Sequence, residues 1–297
     1  MWPVNIVHGQ YDRWMDPALP PLISSRLLAD QLKIGAADAP VIVHVGTTMV
    51  GTDPHASYLD RRLPSARFAS LDDDLADPPA PGVGRHPLPS AAAFSAVLGR
   101  LGIALGTPVV AYDDRNGAFA ARLVWMLRII GQPAALLDGG LDIWSGPFES
   151  GPVEPHEPVH DRPAVPWPAE AIADADDVAV HIEHGGVVID SREPLRYAGK
   201  VEPIDAVAGH IPGAINMPFT DNLADGQWLG APQLAERFAR LDMDPQAIVY
   251  CGSGVTACHN ALAVESAGRP LPRVFVGSWS GWSSDPRRPV ATGVTSG

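Results

Sequence analysis

The chain repeats itself once. Tyr112-Asp113, and further on Gly139 and Trp144, recur 138 residues later as Tyr250-Cys251, Gly277 and Trp282. A third match, Leu63-Pro64-Ser65-Ala66 with Ile211-Pro212-Gly213-Ala214, falls at a slightly different spacing. So long a period signals a duplicated domain; solenoid repeats recur every roughly 20–50 residues. Whatever the fold, it is built twice from similar parts. The copies differ where chemistry is concerned. The first has Asp113 where the second has Cys251. Only the second copy can perform thiol chemistry, and the first is expected to help build its site.

Within each copy, short β-prone runs alternate with helical ones. Val41–Val45, Thr107–Tyr112 and Ala134–Leu137 read as strands. The stretches around them, from Ser24 or Ser25 to Lys33, from Ala91 to Leu101 and from Ala118 to Ile130, read as helices. In the second copy Ala169–Ile182 and Pro232–Leu241 are expected helices, and Val187–Asp190 and Val274–Val276 expected strands. This alternation predicts an α/β fold: two tandem domains, each a mainly parallel sheet flanked by helices. Seven prolines fall between residues 146 and 168, which predicts a semi-extended linker. The expected division is a poorly structured leader over 1–23, a first domain over 24–145, the linker over 146–168 and a second domain over 169–297.

The second copy centres on Ile248-Val249-Tyr250-Cys251-Gly252-Ser253-Gly254-Val255-Thr256. An apolar strand stops at a cysteine, small residues follow, and a helix is expected to begin near Thr256. Backbone N–H groups point outward at such a helix start, and the helix dipole is positive there. That setting favours the thiolate, which is the nucleophilic form. Gly252 and Gly254 are expected to let the backbone curl so that its N–H groups converge on the sulfur as an anion nest. The other cysteine, Cys258, is expected to face the packed side of the helix. Seven residues from Cys251 on one loop–helix unit, it is a poor disulfide partner.

Composition narrows the function. The net charge is −13, which argues against nucleic acid or an anionic membrane as partner. An anionic substrate would then need local cationic groups. Two cysteines in 297 residues fit a reducing compartment. The N-terminus has no basic region followed by an apolar run, as a secretory signal would. The expected location is therefore cytoplasmic. No Cys/His cluster has metal-ligand spacing, so neither metal nor cofactor is expected.

Four motifs together resemble the two-domain rhodanese-type sulfurtransferases: Gly209-His210-Ile211-Pro212-Gly213-Ala214, the Cys251–Thr256 loop, Gly277-Ser278-Trp279-Ser280-Gly281-Trp282, and the aspartate-for-cysteine replacement. The likeness covers nearly the whole chain after residue 24. It implies two rhodanese-like domains, the first catalytically inactive. It also implies a ping-pong reaction in which Cys251 takes a sulfane sulfur from a small donor as a persulfide. The sulfur then passes to cyanide or a thiol, the thiol of a thioredoxin-like protein included. The loop Cys251-Gly252-Ser253-Gly254-Val255-Thr256 resembles the 3-mercaptopyruvate version; in the thiosulfate version basic residues stand at Gly252 and Ser253.

The resemblance further implies a proton-transfer trio of Ser253, His86 and Asp72, and an arginine, Arg196, that grips the donor's anionic group. Gly252, Gly254, Val255 and Thr256 complete the expected donor site. There is one departure. A second arginine usually follows about nine positions after the first, yet Lys200-Val201-Glu202-Pro203-Ile204-Asp205 contains none. Arg192 reads as a structural ion-pair residue, and Trp279 and Trp282 as packing. Thiosulfate is the alternative donor. A cysteine phosphatase would need an arginine six residues after Cys251, where Ala257 stands. A non-enzymatic binding module is another alternative, against which the intact Cys251 loop argues, and a sulfur-relay protein whose acceptor is another protein's thiol is a third, differing in partner and not in chemistry.

Overall fold

The computed structural model describes residues 19–33, 39–48, 51, 53–80 and 82–294. In the first half the strands are β1 (Leu22–Ile23), β2 (Val41–Gly46), β3 (Arg67–Ser70), β4 (Val109–Tyr112) and β5 (Ala134–Leu137). Its helices are α1 (Ser25–Lys33), α2 (Pro54–Asp60), α3 (Leu71–Asp74), α4 (Ala91–Arg100), α5 (Ala120–Ile129) and α6 (Gly140–Ile143). In the second half the strands are β6 (Ile172–Ala173), β7 (Val188–Asp190), β8 (Ile215–Asn216), β9 (Leu223–Ala224), β10 (Gln227–Trp228), β11 (Ile248–Tyr250) and β12 (Arg273–Phe275). The helices there are α7 (Ala175–Glu183), α8 (Pro194–Tyr197), α9 (Ala231–Arg237), α10 (Thr256–Ser266) and α11 (Ser278–Trp282).

The duplication is complete at the level of topology. The first sheet runs β1-β5-β4-β2-β3 and the second β6-β12-β11-β7-β8, the same order. Every pairing within these two sheets is parallel. The central strands are β4 and β11, which lead into Asp113 and Cys251. From each centre the chain winds outward in opposite directions, so both residues lie at a topological switch point, where open α/β sheets bind ligands. The third sequence match has a physical cause too. The Tyr112 hydroxyl accepts from Leu63 N, and the Tyr250 hydroxyl from Ile211 N. In the same places Tyr58 donates to Ala66 O and Tyr197 to Ala214 O.

Strand alternation divides the apolar residues between faces. In β4, Val109 and Ala111 face a core shared by both halves, and Val110 and Tyr112 face an outer core of the first half. In β11, Val249 joins the shared core and Ile248 and Tyr250 the outer core of the second half. The shared core is filled by α5 and α10, which pack on each other. Ala120 through Leu127 and Ala257 through Val264 are all buried. Arg128 on α5 makes a forked ion pair with Glu265 on α10, its Nε donating at 2.7 Å. The two halves therefore meet through a continuous apolar interior.

Three expectations need correcting. The leader was expected to reach residue 23, but Leu19 and Ile23 are core residues and Leu22–Ile23 is the edge strand of the first sheet; residues 1–18 lie outside the described residues. The single helix expected over 169–182 is instead a short 3₁₀ turn, strand β6, and then α7. Asp174 caps α7, with its carboxylate accepting from Asp176 N and Asp177 N, which sets the helix start. The helix expected over 232–241 spans Ala231–Arg237 and is followed by a 3₁₀ turn. Residues 146–168 hold no helix or strand and run along the first half. Arg62 donates to Gly151 O, and Trp167 to Pro89 O. No described helix is long and apolar enough to cross a membrane.

A shared core predicts shared unfolding. Leu123→Ala, at a fully buried site on α5, should cost about 2–5 kcal/mol. Denaturant unfolding followed by tryptophan fluorescence should remain a single transition shifted to lower denaturant. Two separate transitions, with only one displaced, would mean the halves fold independently.

Candidate active site

Cys251 leaves the end of β11 with its side chain almost fully buried. Its loop is held by the Gly277–Trp282 motif, in which sequence reasoning gave packing roles to Trp279 and Trp282 and none to Ser278. The Ser278 Oγ accepts from Cys251 N at 3.1 Å and donates to Phe275 O. Trp279 N donates to Cys251 O and Ser280 N to Gly252 O. Both carbonyls are thus drawn back into α11, away from the sulfur. Ser278 does this from a left-handed backbone, φ 52°, a strain found where a local geometry matters. The first copy has Gly140 at the equivalent place, φ 54°. Trp279 and Trp282 are buried scaffold residues, donating to Val207 O and Pro289 O.

The first copy reveals what such a loop binds. The Asp113 carboxylate accepts four backbone N–H bonds, from Arg115, Gly117, Phe119 and Ala120, at 2.7–2.9 Å. The loop–helix turn is a nest for a buried anion. In the first copy a side-chain carboxylate fills it permanently. In the second copy a thiol occupies the same place.

The two glycines of the loop serve different ends. Gly254 has φ 77°, matching Asn116 at 54° in the first copy, and so turns the chain as expected. Gly252 does not adopt a left-handed conformation. A Cβ there would lie 3.1 Å from the Arg85 guanidinium and 3.4 Å from that of Arg196, so a side chain would crowd both. Val255 is buried and Thr256 opens α10. Cys258 lies inside the packed face, its Sγ donating to Gly254 O, and burial pushes its thiol up to about 12. It faces the core as expected.

Of the expected trio, His86 and Asp72 come together, with Nε2 3.6 Å from Oδ1. Asp72 is held from the end of β2 by the Thr47 and Thr48 hydroxyls and by Thr48 N. Burial, and next the charge of Arg122, lower the His86 pKa below its ordinary value of 6.5. Ser253 is buried in the loop. Its neighbour Gly254 accepts from Arg122, which also donates to His86 O, and Arg85 directly precedes His86. Among the described residues no hydrogen bond joins Ser253 to His86. Arg192 proves structural, buried against Asp190 with Nη2–Oδ2 at 2.6 Å.

Two residues escaped sequence reasoning. Arg122, on α5 of the first half, is fully buried, and it donates to Gly254 O at 2.8 Å and to His86 O at 3.0 Å. Arg85 lies on the loop after α3. Its N–H donates to Ser280 Oγ, and Gly84 beside it packs on the Gly277 backbone. An alternating apolar helix hid the first, and a loop without local pattern hid the second. Among the described residues no three His, Cys, Asp or Glu side chains group as a metal site requires.

Comparison with known proteins agrees with this architecture. A family model described as a rhodanese-like domain matches residues 174–285. A Pseudomonas aeruginosa protein assigned as a 3-mercaptopyruvate sulfurtransferase is 42% identical, covering 91% of this chain and 99% of that protein. A Mycobacterium tuberculosis protein assigned as a thiosulfate sulfurtransferase is 41% identical, covering 92% and 97%. The structure of 3-mercaptopyruvate sulfurtransferase from Leishmania major superposes with a TM-score of 0.76 at 29% identity, covering 91% of this chain and 76% of that one. Similarity of this extent, with the same duplicated sheet, shows that the chain belongs to the two-domain rhodanese-type sulfurtransferases.

Proposed function

We propose that this protein transfers a sulfane sulfur from a small anionic donor, with 3-mercaptopyruvate favoured, through a persulfide on Cys251. One observation carries the reading: in the first copy the Asp113 carboxylate fills a nest of four backbone N–H groups, and Cys251 stands at the equivalent position of the second copy. The Cys251 thiolate attacks the donor sulfur. The donor's carbon–sulfur bond breaks, and its electron pair stays on carbon. His86, kept neutral by burial, takes the proton of the donor thiol, and Ser253 relays a proton to the new carbanion. Pyruvate leaves, and Cys251 holds a persulfide anion that the loop N–H groups stabilise. Cyanide or a thiol then attacks the outer sulfur and frees the Cys251 thiolate. Asp72 orients His86, and Arg196 binds the donor's anionic group as a guanidinium fork. A protein thiol of the thioredoxin type is a fitting acceptor, and the two free cysteines fit a reducing cytoplasm.

Thiosulfate is the second reading. The Mycobacterium tuberculosis relative carries that assignment, and two arginines stand beside the loop. A steady-state comparison of the two donors with cyanide decides between them. The small Cys251–Thr256 loop predicts at least a hundredfold higher kcat/KM for mercaptopyruvate, about 2.7 kcal/mol of discrimination. Cys251→Ser should abolish turnover of both donors with an unchanged circular dichroism spectrum. Near-normal residual turnover would remove Cys251 from the chemistry.

His86 makes a pH prediction. Its neutral form is the base, so activity is lost as pH falls through its folded pKa, which lies below 6.5. The acid limb of kcat/KM for mercaptopyruvate should therefore fall below pH 6.5 and disappear in His86→Asn. The same limb surviving in that variant would show that another group titrates.

A further inference from the structure

The first half has its own counterpart of the Cys251 site, and a cavity lies there. At the 138-residue spacing Asp114 and Arg115 stand where the second half has Gly252 and Ser253. Ser57 directly precedes Tyr58 as Arg196 directly precedes Tyr197, and the two tyrosines make equivalent bonds, to Ala66 O and Ala214 O. His44 pairs with Tyr112 in the first sheet as Asp190 pairs with Tyr250 in the second. His44, Ser57, Asp114 and Arg115 line one cavity of about 180 Å³, together with Thr47 and Phe119. It lies at the carboxyl ends of β2 and β4, from which the chain winds in opposite directions. Such a crevice is where open α/β sheets take their ligands. Where the second half has Arg196 this site has a hydroxyl, and where it has Gly252 this site has a carboxylate.

His44 gives the cavity a chemical demand. It is 1% exposed and packs among the rings of Tyr58, Phe68 and Tyr112. Burial pushes its pKa down to about 4, so the ring is neutral and has one N–H donor and one acceptor nitrogen. Among the described residues neither nitrogen has a hydrogen-bond partner. Nδ1 is enclosed, and Nε2 lies 3.9 Å from Asp114 Oδ1, beyond hydrogen-bond reach. Buried polar side chains are nearly always hydrogen-bonded, so this exception calls for a reason. Asp114 is also short of a counter-charge. Burial, and next the charge of Asp142, raise its carboxyl pKa above the ordinary 3.8, and among the described residues no arginine or lysine pairs with it. Ser57 gives its hydroxyl proton to Asp53 O and keeps its lone pairs. Three acceptors therefore face one small space, and a nitrogen about 2.8 Å from each would bridge the gap between His44 and Asp114.

We propose that this cavity is a second ligand site and that it takes a small compound with a primary ammonium group. The enclosed Nδ1 of His44 carries the ring proton, and Nε2 accepts one ammonium N–H. The Asp114 carboxylate and the Ser57 hydroxyl accept the other two, so three donors meet three acceptors. Arg115, exposed at the rim, suits the carboxylate of an amino acid. The cavity holds a handful of non-hydrogen atoms, which limits the ligand to a simple amine or a small amino acid. A net charge of −13 favours the approach of a cation. The inference goes beyond the sulfur-transfer reading and does not rest on it, since no group in it belongs to the Cys251 loop.

The test is a titration of the full-length protein, labelled with ¹⁵N-histidine, with methylammonium or glycine in phosphate buffer free of Tris. The ring signals of His44 are followed by NMR and identified by their loss in His44→Gln. Either compound should shift the Nε2 signal saturably. Tetramethylammonium, a cation without N–H donors, and acetate, a carboxylate without an ammonium group, should not. Asp114→Asn should weaken binding about tenfold or more, and Ser57→Ala several-fold. Glycine binding about fivefold tighter than methylammonium, with that advantage lost in Arg115→Met, assigns the site to an amino acid; equal affinities assign it to a simple amine. No saturable shift with either compound overturns the site. So does a shift that tetramethylammonium reproduces, or one that Asp114→Asn and Ser57→Ala both leave unchanged. None of these readouts involves Cys251, so the sulfur-transfer reading stands or falls separately, on its own comparison of donors.

Discussion

One buried guanidinium joins the two halves beside the Cys251 loop. Arg122 reaches from α5 of the first half to Gly254 O in the Cys251 loop and to His86 O in the first half's own loop. It is wholly out of solvent. A buried cation is tolerated only where polar groups satisfy it, and here those groups are the carbonyls of the two loops that must meet. Burial lowers its pKa, while the nearby Cys258 and Cys251 sulfurs oppose the shift. The site can therefore form only when both halves are folded and docked.

The duplicated loop shows how one backbone serves two ends. In the first copy the nest is closed by Asp113, whose four N–H bonds lock the turn into α5. In the second copy the equivalent place holds a thiol, and the loop is held from behind instead. Ser278, Trp279 and Ser280 take the backbone N–H of Cys251 and the carbonyls of Cys251 and Gly252. The first copy holds its loop with its own carboxylate; the second holds its loop from α11.

The surroundings of the thiol are divided between the halves by function. The second half supplies the sulfur, the loop and Arg196. The first half supplies Asp72 from α3, Arg85 and His86 from the loop after it, and Arg122 from α5. Acidic residues do not line the opening at random. Asp190, Glu202 and Asp205 are each paired with an arginine, Asp190 with the buried Arg192 and the other two with Arg196, so these carboxylates are neutralised beside the loop.

The sequence by itself determined the duplication, the α/β class, the position of Cys251 between strand and helix, and the asymmetry between the copies. Each is a local or periodic property: strand alternation, a glycine-marked turn, and a motif spaced at a constant interval. His86, Asp72 and Arg196 were reached through family resemblance, and the structure brings His86 and Asp72 together at 3.6 Å. Only the tertiary structure decided the rest. Arg85 and Asp205 form an ion pair across 120 residues of sequence, and no local pattern links an arginine in a proline-rich loop to an aspartate in a bend. Arg122 looked like one more residue on an apolar helix. Ser278 was one small residue of the Gly277–Trp282 motif. Their roles come from which backbone groups lie opposite them once two sheets share a core, and that depends on packing between distant segments, which no stretch of sequence specifies alone.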